Sequence, residues 1–354
     1  MREKSLKWTT RILLAVAGVF TILYFYLPKI HAWEIEIQEV QTAWSENADS
    51  EAQMNHLVIK ETKTGEEPVK GLRLRIPEGI LADDIKISKD DLTQTLKIEI
   101  PHIDGIYFQN NPVTGSSDSI SGLFYMQGKK TDVIEITLDQ VYELDIERDE
   151  KYYYFNFVKP HEIYDKIVVI DAGHGGNDPG ANRQGIMEKD IDLAILLELK
   201  ELFENSKENI HVYYTRTDDS NPTHEQRVGL ANKVNADLFI SIHNNSTKSG
   251  RVSSISGTEV MFSKSQEGDF TSENLAALCM EELTLALNSR DRGLIDGDNI
   301  YIVKNSEVPV ALVEIGFMTN KEELKLLNSK EYQKKAAEAL YKAIVRAFEE
   351  KEQE

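Results

Sequence analysis

Four residues of this 354-residue chain have types and placements that could do chemistry: His174, Glu188, His243 and Glu314. Two neutral imidazoles and one carboxylate form a donor set for a catalytic zinc ion, leaving a fourth position to water. A second carboxylate beside that water, here Glu314, would serve as general base. The spacing is not a local metal motif of the H-E-x-x-H kind. Each residue also has a structural alternative. A histidine at a strand end is usually structural, and a glutamate opening a helix complements the helix dipole. Glu314 taken alone reads equally well as a buried ion-pair partner. Residue types alone leave both readings open. His31, His56, His102, His161, His211 and His224 lack comparable placement and read as structural or surface residues.

What singles out the four is the kind of element that must carry them. Ile167-Val-Val-Ile-Asp-Ala-Gly-His174 and Leu238-Phe-Ile-Ser-Ile-His243 are apolar strand-like runs ending in histidine, and Val310-Ala-Leu-Val-Glu314 ends in a carboxylate. In open α/β sheets, ligands collect beyond the carboxyl ends of the strands. Glu188 follows a glycine-rich loop, 173–185, and starts a helical pattern. Gly173, Gly175, Gly176, Gly180 and Gly185 would let that backbone pass close to a metal and a substrate. The alternation after Pro160 predicts strands at Ile167–Asp171, His211–Thr215, Leu238–Ile242, Glu259–Phe262, Ile300–Val303 and Val310–Glu314. It predicts helices over about 188–205, 224–235, 272–288 and 330–350. Residues 161–354 are therefore expected to form an α/β domain, a mostly parallel sheet covered by helices on both faces.

Residues 56–160 read differently. Short, partly alternating runs such as Leu57–Lys60, Gly71–Ile76, Leu96–Ile100, Val133–Leu138 and Tyr152–Phe157 predict a small all-β domain, a sandwich or barrel. Asn110–Gly122 reads as a polar loop, and no nucleophile–base–metal cluster is apparent in this region. Residues 33–55 are mixed and acidic, a linker.

The chain carries a net charge of −20, which argues against a nucleic-acid partner, since that role needs a basic face. Residues 1–32 run against this trend, with Arg2, Lys4, Lys7, Arg11 and Lys29 against Glu3 alone. Ile12–Leu27 is uncharged and mostly apolar, slightly short for a span of about 20 residues. The positive residues come first, so the expectation is a single-pass signal anchor with a cytoplasmic tip and everything after Pro28 exported. The alternative is a cleaved signal peptide with a weak site at Ile30-His31-Ala32. Cys279, the one cysteine, falls in an apolar helical pattern and reads as a buried small hydrophobe.

At the candidate residues the chain resembles the zinc-dependent N-acetylmuramoyl-L-alanine amidases of bacterial cell-wall turnover. Five ordered blocks carry the resemblance. They are Val169–Gly176 with Asp178–Ala181; Gly185-Ile-Met-Glu188-Lys189; Thr215, Arg216, Asp219, Arg227, Ala231, Asn232, Ala236 and Asp237; Ser241–Asn245; and Val313–Asn320. The resemblance implies one zinc ion per chain on His174, Glu188 and His243, a catalytic Glu314, and peptidoglycan as the substrate. Asp192 stands where the family often has Asn, and Ser246 where a small apolar residue is usual; neither is expected to touch the ligands. The stretch from His243 to Gly257 is too short for the autoinhibitory helix of some relatives. The β-rich region is similar, mainly in position, size and strand pattern, to the AMIN-type domains associated with wall localisation. The alternatives are a zinc hydrolase of another wall peptide bond, or a non-catalytic wall-binding or activator protein. Protein activators remain open.

Overall fold

The computed structural model describes residues 54–60, 71–103, 106–116 and 118–352. The expected anchor in residues 1–32 and most of the 33–55 linker lie outside the described residues. Among the described residues, no helix is long and apolar enough to cross a membrane.

The N-terminal part is a β-sandwich, as its short alternating runs predict. One antiparallel sheet has the order β1-β6-β7-β4-β3, made of β1 (Met54–His56), β6 (Ile120–Met126), β7 (Thr131–Leu138), β4 (Thr95–Pro101) and β3 (Lys86–Asp90). The other has the order β5-β2-β9-β8, made of β5 (Thr114–Gly115), β2 (Leu72–Arg75), β9 (Tyr152–Val158) and β8 (Glu143–Arg148). Alternate residues of both sheets, among them Leu72, Leu74, Phe155, Leu96, Ile98 and Ile134, share one core. A single helical turn, α1 (Tyr107–Asn110), sits at its edge. The expected linker ends two residues early, because Met54 and Asn55 pair with β6. The expected strand Leu57–Lys60 keeps only a bridge at Lys60, and the polar loop 110–122 contains β5 and the start of β6.

The second domain is built on a six-stranded sheet, ordered β13-β10-β14-β17-β15-β16. These are β10 (Ile167–Ala172), β13 (His211–Tyr214), β14 (Leu238–Asn245), β15 (Thr258–Phe262), β16 (Asp291–Asp296) and β17 (Val310–Phe317). A two-strand hairpin, β11 (Asn182–Arg183) with β12 (Ile186–Met187), lies apart from it. Pairing is parallel throughout the sheet except between β15 and β17, so it is mixed but mostly parallel. The central strands are buried on both faces, which is why they read as unbroken apolar runs. Three long helices, α2 (Glu188–Glu204), α4 (Ser272–Leu287) and α7 (Lys330–Lys351), cover one face over Val168, Ile170, Ile240, Ile242, Ala311 and Val313. Two shorter ones, α3 (His224–Lys233) and α5 (Tyr301–Lys304), cover part of the other over Val169, Phe239, Val310 and Leu312. A further helix, α6 (Lys321–Leu327), follows β17.

One expectation is corrected here. Ile300–Val303 is not a strand; α5 begins at Tyr301, and its turn closes through Lys304 N–H donating to the Ile300 carbonyl at 2.8 Å. A four-residue apolar run fits either state, and here the burial of Ile302 and Val303 against Val310 and Leu312 decides. The edge position goes instead to β16, whose charged sequence Asp291-Arg-Gly-Leu-Ile-Asp gives no strand signal.

The sandwich is docked on this domain. Val141 is buried within the cluster under α3 and α5, and Leu92 packs against it. The Tyr213 hydroxyl donates to Glu143 at 2.5 Å, and Lys233 at the end of α3 donates to Gln94.

Candidate metal centre

The strand ends place two of the four residues directly. His243 and Glu314 are opposite each other in the parallel β14–β17 register, so their side chains leave the same face of the sheet. That face is the one on which α3 and α5 cover only the lower part of the strands. The register shifts between His243 and Asn245, at the open edge.

His174 lies two residues beyond β10 and adopts a left-handed backbone, φ 59°. Two buried arginines hold the turn that imposes this conformation. Arg216 donates to the carbonyls of Ala172 (2.9 Å) and Gly173 (2.7 Å). Arg227 donates to those of Ala172 (2.6 Å) and His174 (2.6 Å), and to Asp171 Oδ1 (2.6 Å). Asp171, fully buried, also accepts from Thr215 and Ser241. Burial opposes its charge, but Arg227 and the two hydroxyls hold its carboxyl below the usual range.

Glu188 opens α2, brought there by the hairpin β11–β12. Its N–H donates to the Ala181 carbonyl at 2.9 Å, and its Oε2 accepts from Ala181 N–H at 2.7 Å. Its Oε1 faces both imidazoles: His174 Nε2 and His243 Nδ1 each lie 3.1 Å away. Asn244 N–H donates to the same oxygen at 3.1 Å. His174 Nδ1 lies 2.8 Å from Asp178, which fixes the ring and leaves Nε2 for the cluster. The electrostatics follow from this crowding. Burial works against both charges, yet the histidines hold Glu188 far below its usual range, and Glu188 with Asp178 raises His174 to about 9.

Ligand atoms of His174, Glu188, Asp192 and His243 all lie within 4.8 Å of one another, a group that could hold a metal ion. Asp192 is thus closer than its sequence position suggests. It is fully buried one turn after Glu188, accepts from Asn244 Nδ2 at 2.7 Å, and has its other oxygen unpartnered among the described residues. Burial, then Glu188, push its carboxyl well above the usual range.

Glu314 has one oxygen, Oε2, without a hydrogen-bond partner among the described residues. Burial, then the charges of Glu188 and Glu259, raise its carboxyl to about 8. Glu259 lies opposite Glu314 on β15 and is itself held by Arg292 (2.7 Å) and Asn245 (2.8 Å). A cleft of about 360 Å³ opens over these groups, lined also by polar Asn221, His224 and Asp178 and by apolar Met261, Ile300 and Ile302.

All four residues predicted from sequence therefore meet at one edge of the sheet. Two glycines explain how closely. A Cβ at Gly173 would stand 2.3 Å from His243 Cε1, and one at Gly180 (φ 61°) 2.6 Å from both Glu188 Oε2 and His174 Cδ2. Gly185 instead has φ 82° and open space around it, so its role is the hairpin turn alone. Asp171, Asp178, Arg216, Arg227 and Asn244 all fall within the motif blocks, but nothing in the sequence alone gives any of them a role beyond that.

Residues 168–346, about half of the chain, match the family described as N-acetylmuramoyl-L-alanine amidase. A Bacillus subtilis protein of uncharacterized function, YqiI, is 42% identical over 182 residues, covering 51% of this chain and 84% of its own. The germination-specific N-acetylmuramoyl-L-alanine amidase of the same species is 32% identical, covering 52% of this chain and 81% of its own. Among solved structures, the catalytic domain of the amidase CwlV from Bacillus (Paenibacillus) polymyxa var. colistinus aligns with a TM-score of 0.48 and 30% identity, over 52% of this chain and 98% of that one. The chain belongs to the N-acetylmuramoyl-L-alanine amidase family.

Proposed function

We propose that this protein hydrolyses the amide joining the lactyl carboxyl of N-acetylmuramic acid to L-alanine of the peptidoglycan stem, with one zinc ion held by His174, Glu188 and His243. The observation that carries the metal reading is the convergence of two imidazole nitrogens on one carboxylate oxygen, each at 3.1 Å. A nitrogen, nitrogen, oxygen donor set suits zinc in a site that keeps one position open. Bound there, zinc would polarise the lactyl carbonyl and make a water acidic enough to lose its proton near neutral pH.

The remaining steps belong to side chains of this chain. Glu314 accepts the proton of the attacking water and returns it to the departing L-alanine nitrogen. Its unpartnered oxygen and its place opposite His243 suit that task. Asp178 holds His174 in the tautomer that presents Nε2. Arg216 and Arg227 keep the His174 turn in place while substrate enters and leaves. The cleft lining offers both hydrogen-bonding groups and apolar surface to the substrate.

Digestion of purified peptidoglycan, with mass spectrometry of the products, tests the reaction. Peptide-free glycan and intact stem peptides are expected, and chelation should stop their release until zinc is restored. Cut stem peptides would reassign the bond, and no products at all would favour a non-catalytic wall protein. Location is a further part of the proposal. The basic residues before the apolar run Ile12–Leu27 support a signal anchor with the enzyme outside the membrane. Protection of residues 54–352 from external protease in intact spheroplasts would overturn it.

A further inference from the structure

The β-sandwich carries a polar cavity of about 590 Å³, away from the metal centre, lined by Arg75, Glu78, His102, Tyr107 and Asn111 over Ile80 and Ile103. We propose that this cavity binds a carboxylate of the peptidoglycan stem peptide, giving the enzyme a second hold on the wall.

Three features point to a ligand. His102 is fixed from behind: its Nδ1 lies 2.8 Å from Asp132, a fully buried carboxylate. Asp132 also accepts from the Tyr125 hydroxyl (2.6 Å) and from the N–H groups of Ile103 (3.0 Å) and Gly128 (3.0 Å). In the neutral ring Nδ1–H donates to Asp132, so Nε2 faces the cavity as an acceptor, suited to an amide N–H of the ligand and not to its carboxylate. Arg75 is oriented by one bond, from Nη1 to Asn111 Oδ1 at 2.7 Å. Its carboxylate neighbour there, Glu78, stands 3.9 Å away and is 96% exposed, so it competes weakly for the guanidinium. The Tyr107 hydroxyl is buried and has no hydrogen-bond partner among the described residues, although an unmade bond at such a group is costly.

A planar acceptor fits the donors of this cavity, Arg75 and the Tyr107 hydroxyl. A carboxylate can take two parallel bonds from a guanidinium fork, with a hydroxyl beside it, while Ile80 and Ile103 pack the ligand's apolar part. A densely charged polyanion is disfavoured by a chain of net charge −20. A peptide with isolated carboxylates is not. Taking the stem peptide as the source rests on the amidase reading. Because the sandwich is docked on the catalytic domain, engagement of one strand at both sites would raise its effective concentration at the cleft.

The test is calorimetric titration of the full chain with a synthetic stem tetrapeptide bearing free carboxyls, and with its fully amidated counterpart. Arg75→Gln should weaken the sandwich-site binding by about tenfold or more, the scale of a lost charge-assisted hydrogen bond. Tyr107→Phe, which removes one oxygen and keeps the ring, should weaken it less, and covers the case in which Arg75→Gln misfolds. Hydrolysis of soluble muropeptides should be unchanged in both. Binding unaffected by either substitution would overturn the proposal. So would equal binding of the amidated peptide, or binding of peptide-free glycan at these residues. Loss of muropeptide hydrolysis in the parent chain would strike the amidase reading instead.

Discussion

Glu314 and Arg227 illustrate two ways in which one residue serves the centre. Glu314 is assigned to proton transfer and not to metal binding. Glu314→Gln keeps size and hydrogen bonding but removes the base, so fold and zinc content should survive while the rate falls by about 10²–10⁴. Zinc loss in that variant would make Glu314 a ligand. A near-normal rate with zinc bound would mean another group activates the water. Arg227 acts at a distance, tying Asp171 to the carbonyls of Ala172 and His174. Arg227→Met leaves Asp171 buried and uncompensated, a change expected to cost about 3–5 kcal/mol in denaturant titration. Zinc affinity should fall as well, because the His174 turn loses two of its restraints. Unchanged stability would show that the arginine is a bystander. The four reactive residues were legible because each ends an apolar run or opens a helix. The arginine clamp was not: Arg227 meets Asp171 across 56 positions, and nothing local in the sequence marks such a pairing.

At the level of elements, the sheet does the positioning, and its register converts sequence distance into proximity. His243 and Glu314 become neighbours because β14 and β17 pair in parallel with no offset at that point. Apolar runs identified those strands and the direction in which they end. The same signal failed where it was short or absent. Ile300–Val303 was too brief to separate strand from helix, and β16 is an edge strand with exposed aspartates at both ends. The loop between β10 and α2 depends on backbone shape. At Gly180 the left-handed φ of 61° and the closeness of Glu188 and His174 both exclude a side chain. Gly180→Ala should therefore lower zinc affinity by about 10–100-fold, the range seen when groups supporting metal ligands are disturbed. Competition with a chromophoric chelator measures this. Wild-type affinity in Gly180→Ala would show that the loop can move aside and that the cluster does not depend on its path.

The whole molecule joins a wall-cutting domain to a sandwich that docks at Val141, Glu143 and Gln94. Lys233 meets Gln94 at the far end of α3, whereas His224, at the start of the same ten-residue helix, lines the cleft. The sandwich therefore reaches α3 at the end remote from the reaction and leaves the cleft accessible. The change of rhythm at Pro160 revealed the two domains, but the docking could not be read from it. Leu92 and Val141 look like ordinary sandwich residues until their partners are known. A fragment starting near residue 160 keeps every proposed catalytic group, so it should hydrolyse soluble muropeptides at close to the parent rate. It also uncovers the apolar surface that Val141 and Leu92 shield, and strips Tyr213 of its Glu143 acceptor. Its denaturation midpoint should fall. On intact sacculi it should clear more slowly than the chain from residue 54 onward, because a polymer is held less long by one site than by two. Turbidity clearance at matched muropeptide activity separates the two contributions. Equal clearance would reduce the sandwich to a spacer, and loss of muropeptide hydrolysis in a folded fragment would make the docking itself part of the active enzyme.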